Sequence, residues 1–401
     1  MEALLGDAVR LRMEADVPLG AFLSGGVDSS TVVALMQAAS SRPVRTFTVG
    51  FLESGYDEAA DARRVARHLG TDHTELYLTP SEALDVIPRL PALYDEPFAD
   101  SSQIPTFLVS ELARRHVTVS LSGDGGDELF GGYNRYLWAE RIWRRTGRLP
   151  PRLKRLAAAA LTALPAARWD RIFAGLASWR QRTPGGKLHK LAEAIDAGSP
   201  EDLYQALVSQ WKDPARVVRG GVEPDVARMA PPFPDLARRM MYLDAVTYLP
   251  DDILVKLDRA SMGVSLEGRV PLLDHRIIEF ALRLPAHFKI RRGQGKWLLR
   301  QVLYKHVPRE LIERPKMGFA VPIGDWLRGP LRDWAEELLD PRRLRDQGFL
   351  DPAPIREKWG EHLAGRREWQ HSLWSVLMFQ FWLEETRRGV GTSPALVGVE
   401  S

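Results

Sequence analysis

Two short strand-like runs, the apolar Leu19–Leu23 and the alternating Val117–Leu121, each stop at a serine–glycine pair, Ser24-Gly25 and Ser122-Gly123. Strand-like and helix-like segments alternate between them. Val44–Phe51 carries Phe47, Val49 and Phe51 at period two, as one face of a strand does. Tyr56–Gly70 carries Ala62, Val65, Ala66 and Leu69 on one helical stripe and ends on glycine. His73–Leu78 reads as a third strand, and Ser29–Ala39, Ser81–Leu93 and Ile104–His116 read as helices. Parallel strands need long crossovers, which helices supply, so this alternation predicts an α/β fold: a parallel sheet with helices on both faces. Such sheets bind ligands in the loops beyond the carboxyl ends of their strands. Both serine–glycine loops sit there.

From Glu128 onward the pattern is largely helical. Helices are predicted at Leu236–Tyr248, Asp252–Met262, Arg276–Leu282, Lys296–His306 and, rich in Trp and Phe, Glu368–Arg388. Pro150-Pro151 and Pro231-Pro232-Phe233-Pro234 read as loops. A length of 401 residues, at roughly 150 per domain, agrees with two or three parts. The expected division is an α/β core over 1–135, a mostly helical basic insertion over 136–235, and a helical part over 236–401 that completes the site. The stretch Arg135–Lys190 holds 14 basic residues against two acidic ones, Glu140 and Asp170. It reads first as arginine-rich solvated helices. A docking face for an acidic partner or an anionic membrane is the competing reading.

Composition removes several function classes. There is no cysteine, so disulfides, thiolate metal sites and a cysteine nucleophile are excluded. The nine histidines include no HExxH spacing, which leaves a zinc site unsupported. A net charge of +3 gives no reason to expect nucleic acid as a partner. No apolar run approaches the roughly 18 residues of a membrane span. Met1-Glu2-Ala3-Leu4-Leu5 has no basic region ahead of an apolar one, so a cytoplasmic location is expected.

The strongest chemical signal is Ser24-Gly25-Gly26-Val27-Asp28-Ser29-Ser30, at a strand–loop–helix junction. Glycines let the backbone approach an anion, and the amides of Val27 to Ser30 open a helix, where partial positive charge favours phosphate. The hydroxyls of Ser24, Ser29 and Ser30 add donors. Asp28 is tolerable beside phosphate when a cation joins it, and Mg²⁺ bridging the two is the natural reading. A tight turn with serine caps is the plain alternative. The second loop puts three carboxylates, Asp124, Asp127 and Glu128, at another strand end, where they repel unless a metal or cationic group is shared. A solvated acidic turn is the alternative there.

The stretch SGGVDSS resembles the pyrophosphate loop of the ATP pyrophosphatases, which adenylate a carboxyl or carbonyl group and release pyrophosphate. Leu121-Ser122-Gly123-Asp124-Gly125-Gly126-Asp127-Glu128-Leu129-Phe130-Gly131-Gly132-Tyr133 resembles the second signature of the asparagine synthetases. So do the motifs Tyr94–Ser102, Gly268–His275 and Arg314–Phe319. Together these run from about residue 8 to about 385 and identify the chain as resembling the synthetase half of that family. The resemblance implies an adenine-nucleotide-hydrolase-like (Rossmann-like) domain followed by helices. It implies a Mg²⁺ site at Asp28 and Asp127, and adenine contacts from Leu23, Val49, Ser122 and Gly123. Asp124 matches the acidic position that helps form and use the acyl-adenylate. Lys316 matches the lysine at the reaction centre, where an ammonium stabilises developing phosphoryl charge. Asp100, Ser101, Glu128 and Arg269 are candidate substrate contacts, with Lys296 a further candidate. Arg269 could equally support the Asp274 loop, and Val49 could equally be a core strand residue.

The implied reaction uses ATP and Mg²⁺. An aspartate β-carboxylate attacks the α-phosphate, and ammonia then displaces AMP to give asparagine. The family's N-terminal glutaminase half, which begins with a nucleophilic cysteine, is expected to be absent. A separate glutaminase chain and a homodimer are the partner expectations. An amidating or cyclising enzyme acting on a sugar acid, a peptide or a β-lactam precursor is the alternative.

Overall fold

In the computed structural model, which describes residues 1–51, 58–173, 184–222, 231, 233, 235–314 and 321–391, the alternation becomes five parallel strands. These are β1 (Leu19–Phe22), β2 (Arg45–Phe51), β3 (Asp72–Leu78), β4 (Val119–Leu121) and β5 (Glu267–Arg269), in the order β3-β2-β1-β4-β5. The chain runs outward from β1 through β2 to β3, then returns to place β4 on the other side of β1. The order therefore reverses between β1 and β4, the position where open parallel sheets bind ligands. The parallel sheet with helices on both faces is borne out.

Each face of the sheet feeds its own buried cluster. Phe47, Val49 and Phe51 of β2 pack with Ile104 and Phe107 of the helix Gln103–Arg114. Ala21 of β1 and Val119 and Leu121 of β4 face the other way. They meet Leu5 and Val9 of α1 (Glu2–Met13) and Val32 and Met36 of α2 (Val27–Ala39). α3 (Ala59–Leu69) ends at Gly70, and its described stripe of Ala62, Val65 and Ala66 is buried.

Two local expectations need correction, and two elements are additions. The single helix expected over Ser81–Leu93 is three short turns, Pro80–Leu84, Ile87–Arg89 and Leu90–Leu93. Pro88 and Pro91 supply no amide hydrogen and break a continuous ladder. The helix expected over Asp252–Met262 begins instead as a wide π-helical turn, Leu249–Leu254, before the helix Val255–Met262. The strand β5 and helix α1 were not foreseen; β5 is three residues long, too short for a period to show. Of the proline cluster at 231–234, residues 232 and 234 lie outside the described residues.

The basic stretch is helical, over Asn134–Thr146, Pro151–Thr162, Ala166–Phe173 and Pro184–Asp196. Arg141, Arg144, Arg148, Arg152 and Arg155 are exposed. Arg135 is instead paired with the buried Asp244 at 2.8 Å, and Lys154 is covered as well. Lys154 donates to the Ala197 carbonyl at 2.8 Å and lies over the Trp143 ring. Among the described residues no helix is long and apolar enough to cross a membrane.

The start of the chain is tied to the motif after β5 by charge. The carboxylate of Asp274, 4% exposed, accepts from Arg12 at 2.7 Å and from the Arg276 guanidinium at 2.9 and 3.0 Å. It also caps the helix His275–Arg283 through the Arg276 amide at 3.0 Å. The Arg276 hydrogen bonds, against a smaller effect of burial, hold its carboxyl well below the usual carboxylate range. Asp274→Ala is expected to lose about 3 kcal/mol, because two arginines and a helix end lose one shared acceptor. The folded pKa is depressed, so this stability is full above the ordinary carboxylate value and fades as pH falls towards the folded one. Urea unfolding of both proteins at neutral and acid pH should show the gap closing on acidification.

Candidate active site

The first loop is folded by its own hydroxyls. Ser24 Oγ lies 3.0 Å from Ser29 Oγ and accepts from the Gly26 amide at 3.3 Å, while the Ser24 amide donates to Ser29 Oγ at 3.2 Å. Gly25 has φ +70°, and a methyl there would fall 2.9 Å from the Ala62 amide nitrogen. Only glycine turns the chain this way so close to α3. The loop thus leaves β1 and opens α2 at Val27, which puts the amides of a helix start, where partial positive charge gathers, at this loop. Arg314 braces the loop from outside, with Nη2 donating to the Ser24 carbonyl at 3.0 Å and an ion pair to Asp61. Ser30 points inward and is fully buried.

The second loop is pressed against the first. A methyl on Gly123 would lie 2.6 Å from the Ser29 amide nitrogen. At Gly126 it would run into the Asp28 carboxylate, so no side chain fits between the loops. Lys296 sits between the two loops. Its ammonium is paired with Asp28 and, at 2.8 Å, with Asp127. The residue holds φ +56°, a conformation L side chains adopt rarely and at a cost that the surroundings must offset. Burial alone would lower its pKa, but Asp127 and Asp28 outweigh that and hold it above the ordinary lysine value.

Two carboxylates of this loop are shifted towards their neutral forms. Burial raises Asp124, against its hydrogen bond from Ser122 Oγ at 2.6 Å. Burial, then the nearby Asp127, pushes Glu128 up to about 7. Glu128 accepts from Tyr133 Oη at 2.6 Å and is 2% exposed.

Both loops open into one cleft of about 840 Å³. It gathers Leu23, Ser24, Gly25, Gly26, Asp28, Ser29, Val49, Ser122, Gly123, Asp124, Asp127, Asp100 and Ser101 from the residues expected in the site. Val49 belongs to both the cleft and the core. Three expected residues are not on this wall. Ser30 is beneath it, and Glu128 faces a separate small void beside Lys289. Arg269 is engaged at Glu267 at 2.7 Å and at the Arg12 and Glu14 carbonyls at 2.9 and 2.7 Å, which ties β5 to the end of α1. Lys316 lies outside the described residues.

The cleft also holds groups that sequence reasoning passed over: Tyr248, Lys256, Arg314 and His371. One signal for Lys256 was available. The chain uses 45 arginines and only ten lysines, so a lysine kept next to Leu257 in an apolar stretch stands out.

Two glycine loops at the switch point of a parallel sheet, joined through a carboxylate–ammonium cluster, define an α/β domain whose candidate site lies at the carboxyl ends of its strands. The asparagine synthase family profile matches residues 1–384. The chain belongs to the asparagine synthase family. Glutamine-hydrolysing asparagine synthetase 1 of Bacillus subtilis is 31% identical over 94% of this chain and 57% of its own length. A Mycobacterium tuberculosis protein that carries the same designation provisionally is 35% identical over 95% of this chain and 56% of its own. A Gibberella zeae protein named amidase chry2 is 26% identical, over 86% of this chain and 55% of its own. The chain thus spans a little over half the length of these relatives.

Proposed function

We propose that the chain is an ATP-dependent amide synthetase that adenylates the β-carboxylate of aspartate and transfers the acyl group to ammonia. The observation that carries this reading is the junction of the two loops, where Gly123 meets Ser29 and one ammonium is shared by Asp28 and Asp127. Those carboxylates fit Mg²⁺, which takes one or two protein carboxylates and completes its shell with water and phosphate oxygens. When bound there, Mg²⁺ would neutralise charge on the triphosphate.

The chain's own groups do the rest. The amides opening α2 and the Ser24 and Ser29 hydroxyls hold the departing pyrophosphate. Lys296 offsets charge as a carboxylate oxygen attacks the α-phosphorus and the bond to the bridging oxygen breaks. Lys316 is proposed as a second such cation. Leu23, Val49, Ser122 and Gly123 border the adenine. Ammonia then attacks the acyl carbon, AMP leaves with the former carboxylate oxygen, and Asp124 takes the proton that the new amide nitrogen sheds. Exclusion of water from the cleft when the substrates fill it would protect the mixed anhydride. A second reading rests on the amidase relative: the same chemistry applied to another carboxylate.

The test is pyrophosphate release from ATP and Mg²⁺ with aspartate, a sugar acid and a peptide pool in turn, with the amide identified by mass. Release with none of them overturns the synthetase reading. Within it, Gly123→Ala is expected to lower turnover about 100-fold, since its methyl would displace the Ser29 amide by a fraction of an ångström or more. The melting temperature should fall as well, because the methyl meets backbone of the first loop, so turnover is compared at a temperature where both proteins are folded. An unchanged rate would separate the two loops in function.

A further inference from the structure

The helix Pro151–Thr162 turns most of its surface to solvent. Its inner side is fixed by three contacts. Lys154 donates to the Ala197 carbonyl at 2.8 Å, and the Leu161 carbonyl accepts from Trp169 Nε1 at 2.9 Å. Just past the helix, the Leu164 carbonyl accepts from His189 Nε2 at 3.0 Å. At about 100° per residue, the side facing away from Lys154 and Leu161 carries two adjoining stripes. Leu153, Leu156 and Ala160 form one, Arg152 and Arg155 the other, and all five are exposed. Leu153 is 51% exposed and Leu156 66%. The helix Ala166–Phe173 repeats the combination, with Arg168, Arg171 and Ile172 exposed. Its one acidic residue, Asp170, accepts from the Gly185 amide at 2.9 Å.

The charge of this face has one sign. Between Glu140 and Asp170 stand seven arginines and no aspartate or glutamate. A solvated basic face needs no leucines. Nucleic acid would take the arginines and leave the leucines in water. A second copy of the same face would bring arginines against arginines. The leucines stand out from a convex helix, beside long cationic side chains. A protein partner would need an acidic groove to receive such a ridge. A bilayer needs none: acyl chains take the leucines and headgroup phosphates take the guanidiniums.

We propose that the outer face of Pro151–Thr162 and Ala166–Phe173 docks on an anionic lipid surface, with the helix Pro151–Thr162 lying in the headgroup plane. The protein then lies on the membrane and does not cross it. None of the residues of this face lines the cleft, so docking is a property separate from the chemistry there.

The test is flotation of the full chain with two kinds of vesicle, pure phosphatidylcholine and phosphatidylcholine with about 30% phosphatidylglycerol. Binding is expected with the anionic vesicles alone, and it should fall about 10-fold between about 0.05 and 0.5 M salt as the charges are screened. Leu153→Gln combined with Leu156→Gln should weaken vesicle binding about 10-fold or more at low salt, because the inserted apolar area is lost. Arg152→Gln combined with Arg155→Gln should weaken it about 10-fold as well. All four side chains are exposed and glutamine suits a helix, so both variants should keep the wild-type melting temperature. No flotation with anionic vesicles at low salt overturns the proposal. Equal flotation with neutral vesicles overturns it too, since the arginines would then play no part. So does unchanged binding in the leucine variant, which would reduce the face to a diffuse positive field. A dimer that the leucine variant abolishes, in a chain that does not float, would assign the face to a second copy and overturn the lipid reading.

Discussion

Asp28→Ala is expected to reduce ATP-dependent pyrophosphate release by about 10³-fold or more while the protein stays folded. Removing one preorganised group that acts on transition-state charge commonly costs 10²–10³ in rate. Asp28 acts twice, as a partner of Lys296 and as one of the two carboxylates that fit Mg²⁺. The fold should survive because Lys296 keeps Asp127 at 2.8 Å, so the variant leaves no buried charge alone. Single-turnover pyrophosphate release, read beside a melting curve, separates the two effects. Wild-type turnover in a folded variant would take the loop out of the reaction.

Ammonia is expected to support amide synthesis by this 401-residue chain, and glutamine is not. Hydrolysis of a glutamine amide in the way of this family needs a cysteine thiolate, and the sequence contains no cysteine. Adding a glutaminase as a separate chain should restore glutamine use. Only the neutral amine attacks an acyl carbon, and the pKa of ammonium lies well above neutrality. The rate at fixed total ammonium should therefore rise with pH until groups of the site titrate. Asparagine formed from aspartate, ATP and Mg²⁺ with either donor is the measurement. Glutamine-driven synthesis by the pure chain, free of ammonia, would overturn the expectation.

The proposed nucleotide end of the cleft was legible because its chemistry is local. A phosphate cradle needs glycines, hydroxyls and free amides within a few residues, and residues 24–30 supply them consecutively. Ser122 to Asp127 are readable for the same reason. Leu23 and Val49 join them in the cleft because strand ends and loops are continuous in the chain. Glu128 and Arg269 lie in the quoted motifs yet turn away from the cleft. Glu128 lies one residue past Asp127 on a helical turn and so faces another direction, towards Tyr133. Arg269 sits at the end of β5 within reach of two carbonyls at the end of α1. A motif records that residues are needed, and the helix or strand period decides which way each points.

The sequence by itself determined the parallel α/β core, its two loops at strand ends, and the absence of any thiol chemistry. Each follows from residue order over a short span: apolar period, glycine placement, composition. Tertiary structure alone decided that β5, nearly 150 residues after β4, completes the sheet. It alone brought Lys296 between Asp28 and Asp127, and Lys256 against Asp100 across 156 positions. An ammonium and a carboxylate that far apart leave no spacing to read. What joins them is the burial of both helices on one sheet, after which each buried charge must find a partner or lose its proton.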